Sequence, residues 1–311
     1  MQNFFLKWIK PLLRPVIRRI RELPDLPFVL RFVGRSSGKE YGVGYWQKWR
    51  LARRIINNSY RVRSGSHWKQ HLKLVDTILG IPKDWIGDVV ECGCYQGASS
   101  ASLSIVCALV GRRLFICDSF AGLPEPEEGE SHEIYSHDQD FYYIWEKGEF
   151  TSVGGQQGVR QVIQTLGEIE VCHFVAGYFQ DSLPTIPTED VVMVFEDADL
   201  ASSVRDCLQY LWPKLHEGAR FYSHEPWSIH VVSLFYDKSW WTSVLGDSPP
   251  GFHGSGQGVP FFPGSELSFL GYAEKINFDR VKKQGRKLVH HGSSGYQEGG
   301  RGGFVDGKWR T

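Results

Sequence analysis

No stretch of the 311-residue sequence reaches the roughly 18 consecutive apolar residues that a membrane span needs. Charge of one sign is also missing: 35 Lys and Arg stand against 35 Asp and Glu. That balance argues against bulk nucleic-acid binding, which needs a basic surface to displace counterions. The six cysteines (Cys92, Cys94, Cys107, Cys117, Cys172, Cys207) do not form spaced pairs in loops, as a disulfide framework or a zinc site would. They read as free buried thiols of a reducing cytoplasm, and the C-x-C of Cys92 and Cys94 is too tight for a zinc knuckle. The first 22 residues lack the uninterrupted apolar run and small-residue cleavage site of a signal peptide.

What those first residues have is an amphipathic pattern. Phe4, Phe5, Trp8, Ile9, Leu12, Leu13, Val16, Ile17 and Ile20 recur at helical spacing, and Lys7, Lys10, Arg14, Arg18, Arg19 and Arg21 fill the gaps. Two readings stand: a basic helix lying on an anionic membrane or a partner, or an ordinary helix packed on the domain or in a homo-oligomer interface. Pro11 and Pro15 would kink a long helix in either case.

Composition divides the chain into a basic segment and linker (1–45), a helical cap (46–82), a central domain (83–246) and a Gly/Pro-rich extension (247–311) whose last part, 292–311, is expected to be poorly ordered. Helical patterns run through 46–57 and 67–79, the second ended by Gly80 and Pro82. From Gly87 short apolar strands (88–93, 113–117, 170–175, 191–195, 219–223) alternate with helices (98–110, about 159–166, about 202–215). That order predicts an α/β fold with a mostly parallel sheet, helices on both faces and a helical extension at the amino end.

Open parallel sheets bind ligands beyond the carboxyl ends of their strands. The first such end is Glu91-Cys92-Gly93-Cys94-Tyr95-Gln96-Gly97-Ala98-Ser99-Ser100. Gly93 and Gly97 allow a sharp turn and close backbone approach, and Ser99 and Ser100 offer hydroxyls and free N–H groups at a helix start. Glu91 argues against a phosphate cradle and suits a cationic ligand group such as an amine. The second strand ends in Asp118-Ser119, where an acid can accept hydrogen bonds from ribose hydroxyls. The fourth ends in Glu196-Asp197-Ala198-Asp199 and the fifth in His224-Glu225. Asp197, His224 and Glu225 could therefore converge on one divalent cation, with carboxylates suiting Mg²⁺ and the imidazole tilting the preference towards Mn²⁺ or a related metal. The alternative for the acidic run is a solvated helix N-terminus.

The segments 90–100 and Asp118-Ser119-Phe120-Ala121-Gly122-Leu123-Pro124-Glu125-Pro126 resemble the macrocin O-methyltransferase (TylF/MycF-type) family of class I methyltransferases. So do Gly177-Tyr178-Phe179-Gln180-Asp181-Ser182-Leu183-Pro184, the run 197–203 and Leu211-Trp212-Pro213-Lys214-Leu215, all in the family's order across roughly 66–245. The resemblance implies a Rossmann-like fold and O-methylation of sugar hydroxyls on a small natural-product acceptor, using S-adenosyl-L-methionine and a divalent metal (Mg or Mn). It also implies cofactor contacts from Glu91, Gly93, Tyr95, Gln96, Gly97, Ser99, Ser100, Asp118, Ser119, Gly177 and Phe179. His224-Glu225 stands where the family has two aspartates, so Asp197, His224 and Glu225 become the expected metal ligands and Asp199 or His224 the expected base. His132 and His137 could instead serve from the loop 125–153, whose Tyr135, Phe141, Tyr142, Tyr143, Trp145 and Phe150 read as a lid or as a small satellite core. The segment 249–258 is expected to form a second wall of the acceptor site.

Two other classes remain open. A nicotinamide-dependent oxidoreductase would share the fold and the acid at Asp118, but would want a third glycine in the first turn. A non-catalytic binding protein would keep the fold and lose the metal pair.

Overall fold

Residues 25–130, 132–135, 141–276, 303–305 and 308–310 are described in a computed structural model of the chain. The amino-terminal amphipathic segment, the loop positions His137 and 136–140, and most of the terminal tail lie outside the described residues, as do the side chains of 132–143. The chain forms two compact units, Met1–Lys275 and Ile276–Thr311. No helix among the described residues is long and apolar enough to cross a membrane.

The first unit is built on a six-stranded sheet in the order β5-β2-β1-β6-β7-β8. Its strands are β1 (Asp88–Cys92), β2 (Leu114–Asp118), β5 (Cys172–Ala176), β6 (Val191–Glu196), β7 (Leu215–Ser223) and β8 (Gly271–Glu274). All neighbours pair in parallel except β7 with β8. β3 (His132–Tyr135) and β4 (Phe141–Ile144) form a separate antiparallel hairpin. Because β1 pairs with β2 on one side and β6 on the other, chain order reverses there, and a crevice opens at the carboxyl ends of these two strands.

Period-2 alternation sends neighbouring side chains of each strand into different cores. Val89, Leu114, Ile116 and Phe195 join one core with α1 (Leu26–Gly34), α2 (Tyr45–Ser59), α3 (Trp68–Leu79), α4 (Ala98–Val110) and α5 (Gly155–Leu166). Val90, Cys92, Phe115 and Val194 join a second core with α7 (Ala201–Leu211) and α8 (Ile229–Leu234), the short α6 (Phe179–Ser182) lying beside it. Both faces are therefore covered, which is why the central strands are mostly apolar, with Asp88 and Glu91 in β1 and Glu196 at the end of β6 as buried exceptions.

Three differences from the sequence reading have physical causes. Residues 26–34, expected as linker, are a helix that buries Phe28, Val29, Phe32 and Val33. Pro27 occupies its first turn, where a missing N–H costs nothing. Helix α7 ends at Leu211 rather than near Leu215, and β7 already begins at Leu215. Pro213 lies in the turn between them, while Gly218 sits inside the strand at φ +86°. The sixth strand comes from the Gly/Pro-rich tail, where four residues gave no recognisable period.

Helices α1 and α2 are tied by a buried lysine. Lys48 donates to Phe32 O, Arg35 O and Ser37 Oγ at 3.1, 3.1 and 2.7 Å. Burial pulls its pKa down, and the nearby Asp76 carboxylate opposes that shift. Three partners for three N–H groups offset the cost of desolvating the ammonium.

Candidate active site

The strand ends stay in register one residue past the sheet. Gly93 N–H donates to Cys117 O at 2.9 Å, Asp197 N–H to Cys92 O at 2.8 Å and His224 N–H to Glu196 O at 3.0 Å. Four consecutive turns are thereby held side by side. Gly93 has φ +84°, and a Cβ there would lie 1.9 Å from Asp197 O. Only glycine permits this approach of the β1 and β6 ends. Tyr95 (φ 46°), Phe150 (φ 59°) and Asp199 (φ 61°) also hold left-handed backbone around the crevice. Each costs on the order of 1–2 kcal/mol, so the surrounding structure over-determines these turns.

A cavity of about 520 Å³ opens above these ends. It is lined by Gly93, Tyr95, Asp118, Ser119, Gly177 and Phe179 of the expected cofactor set, and by Asp197, Asp199, His224 and Glu225 of the expected catalytic set. The Asp118 carboxylate joins two turns: Oδ2 accepts from Cys94 N–H at 2.7 Å and Oδ1 from Phe120 N–H at 2.6 Å. Asp118 lines the cavity, and a carboxylate has further lone pairs to which a diol could donate.

The other expected cofactor residues do not line the cavity. Glu91 lies on the Val89 face of β1, fully buried, and neither carboxylate oxygen has a hydrogen-bond partner. Burial pushes its pKa up to about 8, so at neutral pH it is mostly the neutral acid. Ser99 and Ser100 are buried in the first turn of α4. Gln96 fastens the turn to the end of the lid loop, donating to Thr151 O and accepting from Val153 N–H, both at 3.1 Å. Gly97 caps α4 at φ +80° against Val159. These positions shape the turn between β1 and α4 from behind.

The opposite wall is acidic. Ligand atoms of Asp197, His224 and Glu225 all lie within 4.8 Å of one another. His224 Nδ1 is 3.1 Å from Asp197 Oδ1 and 3.5 Å from Glu225 Oε1. Glu225 and Glu196 are completely buried, and Glu225 Oε1 and Glu196 Oε2 have no hydrogen-bond partner. Burial raises the pKa of both, Glu196 to about 7. Burial and the adjacent Asp197 charge raise Asp199 likewise. On His224 burial acts downward and the Asp197 and Glu225 charges act upward, with a net rise.

Gln70 decides where the imidazole proton sits. Its Oε1 accepts from His67 N–H at 2.5 Å, which turns its NH₂ towards His224 Nε2 at 3.1 Å. An NH₂ can donate only to an unprotonated ring nitrogen. With Nε2 unprotonated, His224 donates from Nδ1 towards Asp197; the Asp197 and Glu225 charges favour a second proton on the ring, and the Gln70 amide opposes it.

Aromatic side chains close the mouth. Trp145 is buried with Leu123 and Leu200 in a small cluster joined by Trp227. The Trp145 ring lies 6.2 Å from Phe150 and 6.5 Å from Trp227, and Phe150 meets Tyr95 edge-on at 5.6 Å. Leu123, Trp145 and Trp227 of this small cluster also line the cavity. Trp227 and Arg205, also on the wall, were not singled out in the sequence. The position of Trp227, three residues past His224 at a strand end, was the available signal. The segment 249–258 does not line the cavity. Phe252 is buried in the second core, and His253 pairs with Tyr272 of β8 through hydrogen bonds of 2.8 and 3.0 Å.

Comparison with known proteins agrees with this geometry. The model of a family described as macrocin-O-methyltransferase (TylF) matches residues 66–222. Over 150 residues the chain is 33% identical to the 8-demethyl-8-(2,3-dimethoxy-alpha-L-rhamnosyl)-tetracenomycin-C 4'-O-methyltransferase of Streptomyces olivaceus, covering 46% of this chain and 54% of that one. It is 27% identical over 136 residues to the demethyldecarbamoylnovobiocin O-methyltransferase of Streptomyces niveus, covering 42% and 50%. The chain thus spans about half the length of the curated relatives it matches. Among solved structures, the O-methyltransferase NovP is similar with a TM-score of 0.51 and 16% identity, over 73% of this chain and 98% of that one, which shows a common fold.

Proposed function

Because the chain belongs to the macrocin-O-methyltransferase (TylF) family, we propose that it moves the methyl group of S-adenosylmethionine onto a hydroxyl of a small, sugar-containing acceptor. One observation carries the reading: a single cavity has cofactor-type turns on one wall and an acid–imidazole cluster on the other. The names of the two Streptomyces relatives support the acceptor class.

In this reading Asp118 and Ser119 take the ribose end of the cofactor, and Gly93 and Tyr95 take its amino-acid end. Gly177 and Phe179 border the adenine. Glu91, buried as an acid behind the turn, shapes that end rather than pairing with an amine. The acceptor lies between Trp145, Trp227 and the acidic wall. Transfer is an in-line displacement in which the sulfur–methyl bond breaks as the oxygen–methyl bond forms, so the main contribution of the chain is alignment. The hydroxyl proton passes to Asp199, or to His224 once the Gln70 amide has turned away from its Nε2. Aromatic residues at the mouth exclude water from the sulfonium.

The family also implies a divalent cation, and the donor set fits one. Asp197 and Glu225 present carboxylates to a common point, and Glu225 Oε1 is a buried oxygen in need of a partner. A cation there would lower the pKa of the acceptor hydroxyl and orient it. His224 can join only if its proton leaves Nδ1 for Nε2 and the Gln70 amide turns over, so the two carboxylates are the primary ligands and the imidazole the conditional one.

The test is methyl transfer from labelled S-adenosylmethionine to a panel of rhamnosyl and other deoxysugar glycosides, with and without a chelator. Label in a glycoside ether supports the reading. Tight S-adenosylhomocysteine binding with no transfer to any hydroxyl acceptor rejects the catalytic half of it.

A further inference from the structure

The overall neutrality of the chain conceals a strong division. Residues 1–75 contain 17 Lys and Arg against 3 Asp and Glu, and residues 76–311 contain 18 against 32. Between Glu40 and Asp76 there is no acidic residue at all. Four of these cations, Lys48, Arg50, Arg53 and Arg54, sit on α2, the helix that the buried Lys48 fastens to the domain. Trp46, Arg50, Arg53 and, beyond the helix end, Arg61 follow the spacing of a single outward stripe and are all exposed. The three arginines, together with Arg54, border a shallow cleft of about 370 Å³ beside the end of α5. Among the described residues only Arg54 of these arginines has a carboxylate partner, Glu168 at 2.5 Å. Trp46 is 73% exposed at the start of the stripe, with Tyr45, 48% exposed, edge-on beside it at 5.6 Å.

Unpaired guanidinium groups recruit phosphate, and their planar forks match it in two-point hydrogen bonds. Indole and phenol rings at the edge of such a row are the side chains that settle at a lipid–water boundary, with an apolar body and a polar tip. A soluble polyanion would satisfy the arginines and leave Trp46 in water. The sequence before α1 repeats the chemistry, with Phe4, Phe5 and Trp8 interleaved with Lys7, Lys10 and Arg14. We propose that the outward face of α2 docks the chain on a bilayer containing anionic phospholipids. This inference is independent of methyl transfer.

The experiment is co-sedimentation of the full chain with vesicles of phosphatidylcholine alone and of phosphatidylcholine mixed with phosphatidylglycerol. The full chain should bind only the mixed vesicles, and less as salt rises. Each basic residue at the surface contributes about a fivefold factor in partitioning, so Arg50→Glu with Arg53→Glu should lower it at least about 25-fold. The melting temperature should stay at that of the wild type. Should that double variant melt early, Arg61→Glu, in the irregular segment after the helix, carries the same test and should lose about fivefold or more. Trp46→Ser should weaken binding without changing its salt dependence. Equal binding to both vesicle types, unchanged binding of the charge-reversed variants, or affinity for soluble heparin without affinity for vesicles would overturn the proposal.

Discussion

The two walls of the cavity solve opposite problems. On the β1–β2 side the polar groups at the surface are already satisfied: Asp118 accepts two backbone N–H groups, and the turns are held by ladder bonds that continue past the strands. On the β6–β7 side carboxylates are buried with oxygens unpaired, at Glu196 and Glu225. The first wall is a shape prepared for a ligand, and changes in it should act through geometry. The second stores electrostatic energy that a proton, a cation or a substrate hydroxyl can release, and changes in it should act on chemistry. Glu91 is the exception, a buried unpaired acid behind the geometric wall.

The largest effect should come from the joint between the walls. Gly93→Ala forces a Cβ against Asp197 O in a left-handed conformation and should cost about 3 kcal/mol or more, read as a lower denaturation midpoint. A variant as stable as the parent would mean that the turns are not held in this register.

Glu91 gives the next largest. Its folded pKa of about 8 lies above the ordinary carboxylate value, so the native state binds the proton more tightly than the unfolded chain. The stability it contributes is full below about pH 4.5 and is lost as pH rises towards 8. Glu91→Gln removes that loss and should gain up to a few kcal/mol relative to the parent between pH 5 and pH 8.5, at about 1.4 kcal/mol per pH unit. Parallel stability–pH curves for the two proteins would show that Glu91 is paired in solution.

A smaller effect belongs to Asp118. Removing its carboxylate frees the Cys94 and Phe120 amides and loosens the turn, so Asp118→Ala should weaken S-adenosylhomocysteine binding about tenfold, measured by calorimetry. Loss of folding instead would move Asp118 from the binding wall to the scaffold.

Much of this arrangement was legible in the sequence, and the failures have local causes. β1, α4 and β6 stand out because buried parallel strands and the helix packed on them are dominated by apolar and small residues. The spacing from Glu91 to Ser100 located the first turn, and Asp197, His224 and Glu225 converge as their strand ends suggested. Sequence could not tell that alternation along β1 turns Glu91 away from the crevice, since a strand buried on both faces shows no period. Pro27 lies in the stretch expected as linker, where it starts a helix. The four residues of β8 could not be seen in a tail dominated by Gly and Pro, and the partner of His224, Gln70, is brought to it from 154 residues away.

The most direct test of the two-wall account is S-adenosylhomocysteine calorimetry on the parent and on His224→Ala, run beside a methyl-transfer assay. The account predicts cofactor affinity within about threefold of the parent and transfer lowered by about 100-fold or more, the usual contribution of a positioned acid or base. A collapse of cofactor affinity in His224→Ala, or transfer that survives intact, would contradict it.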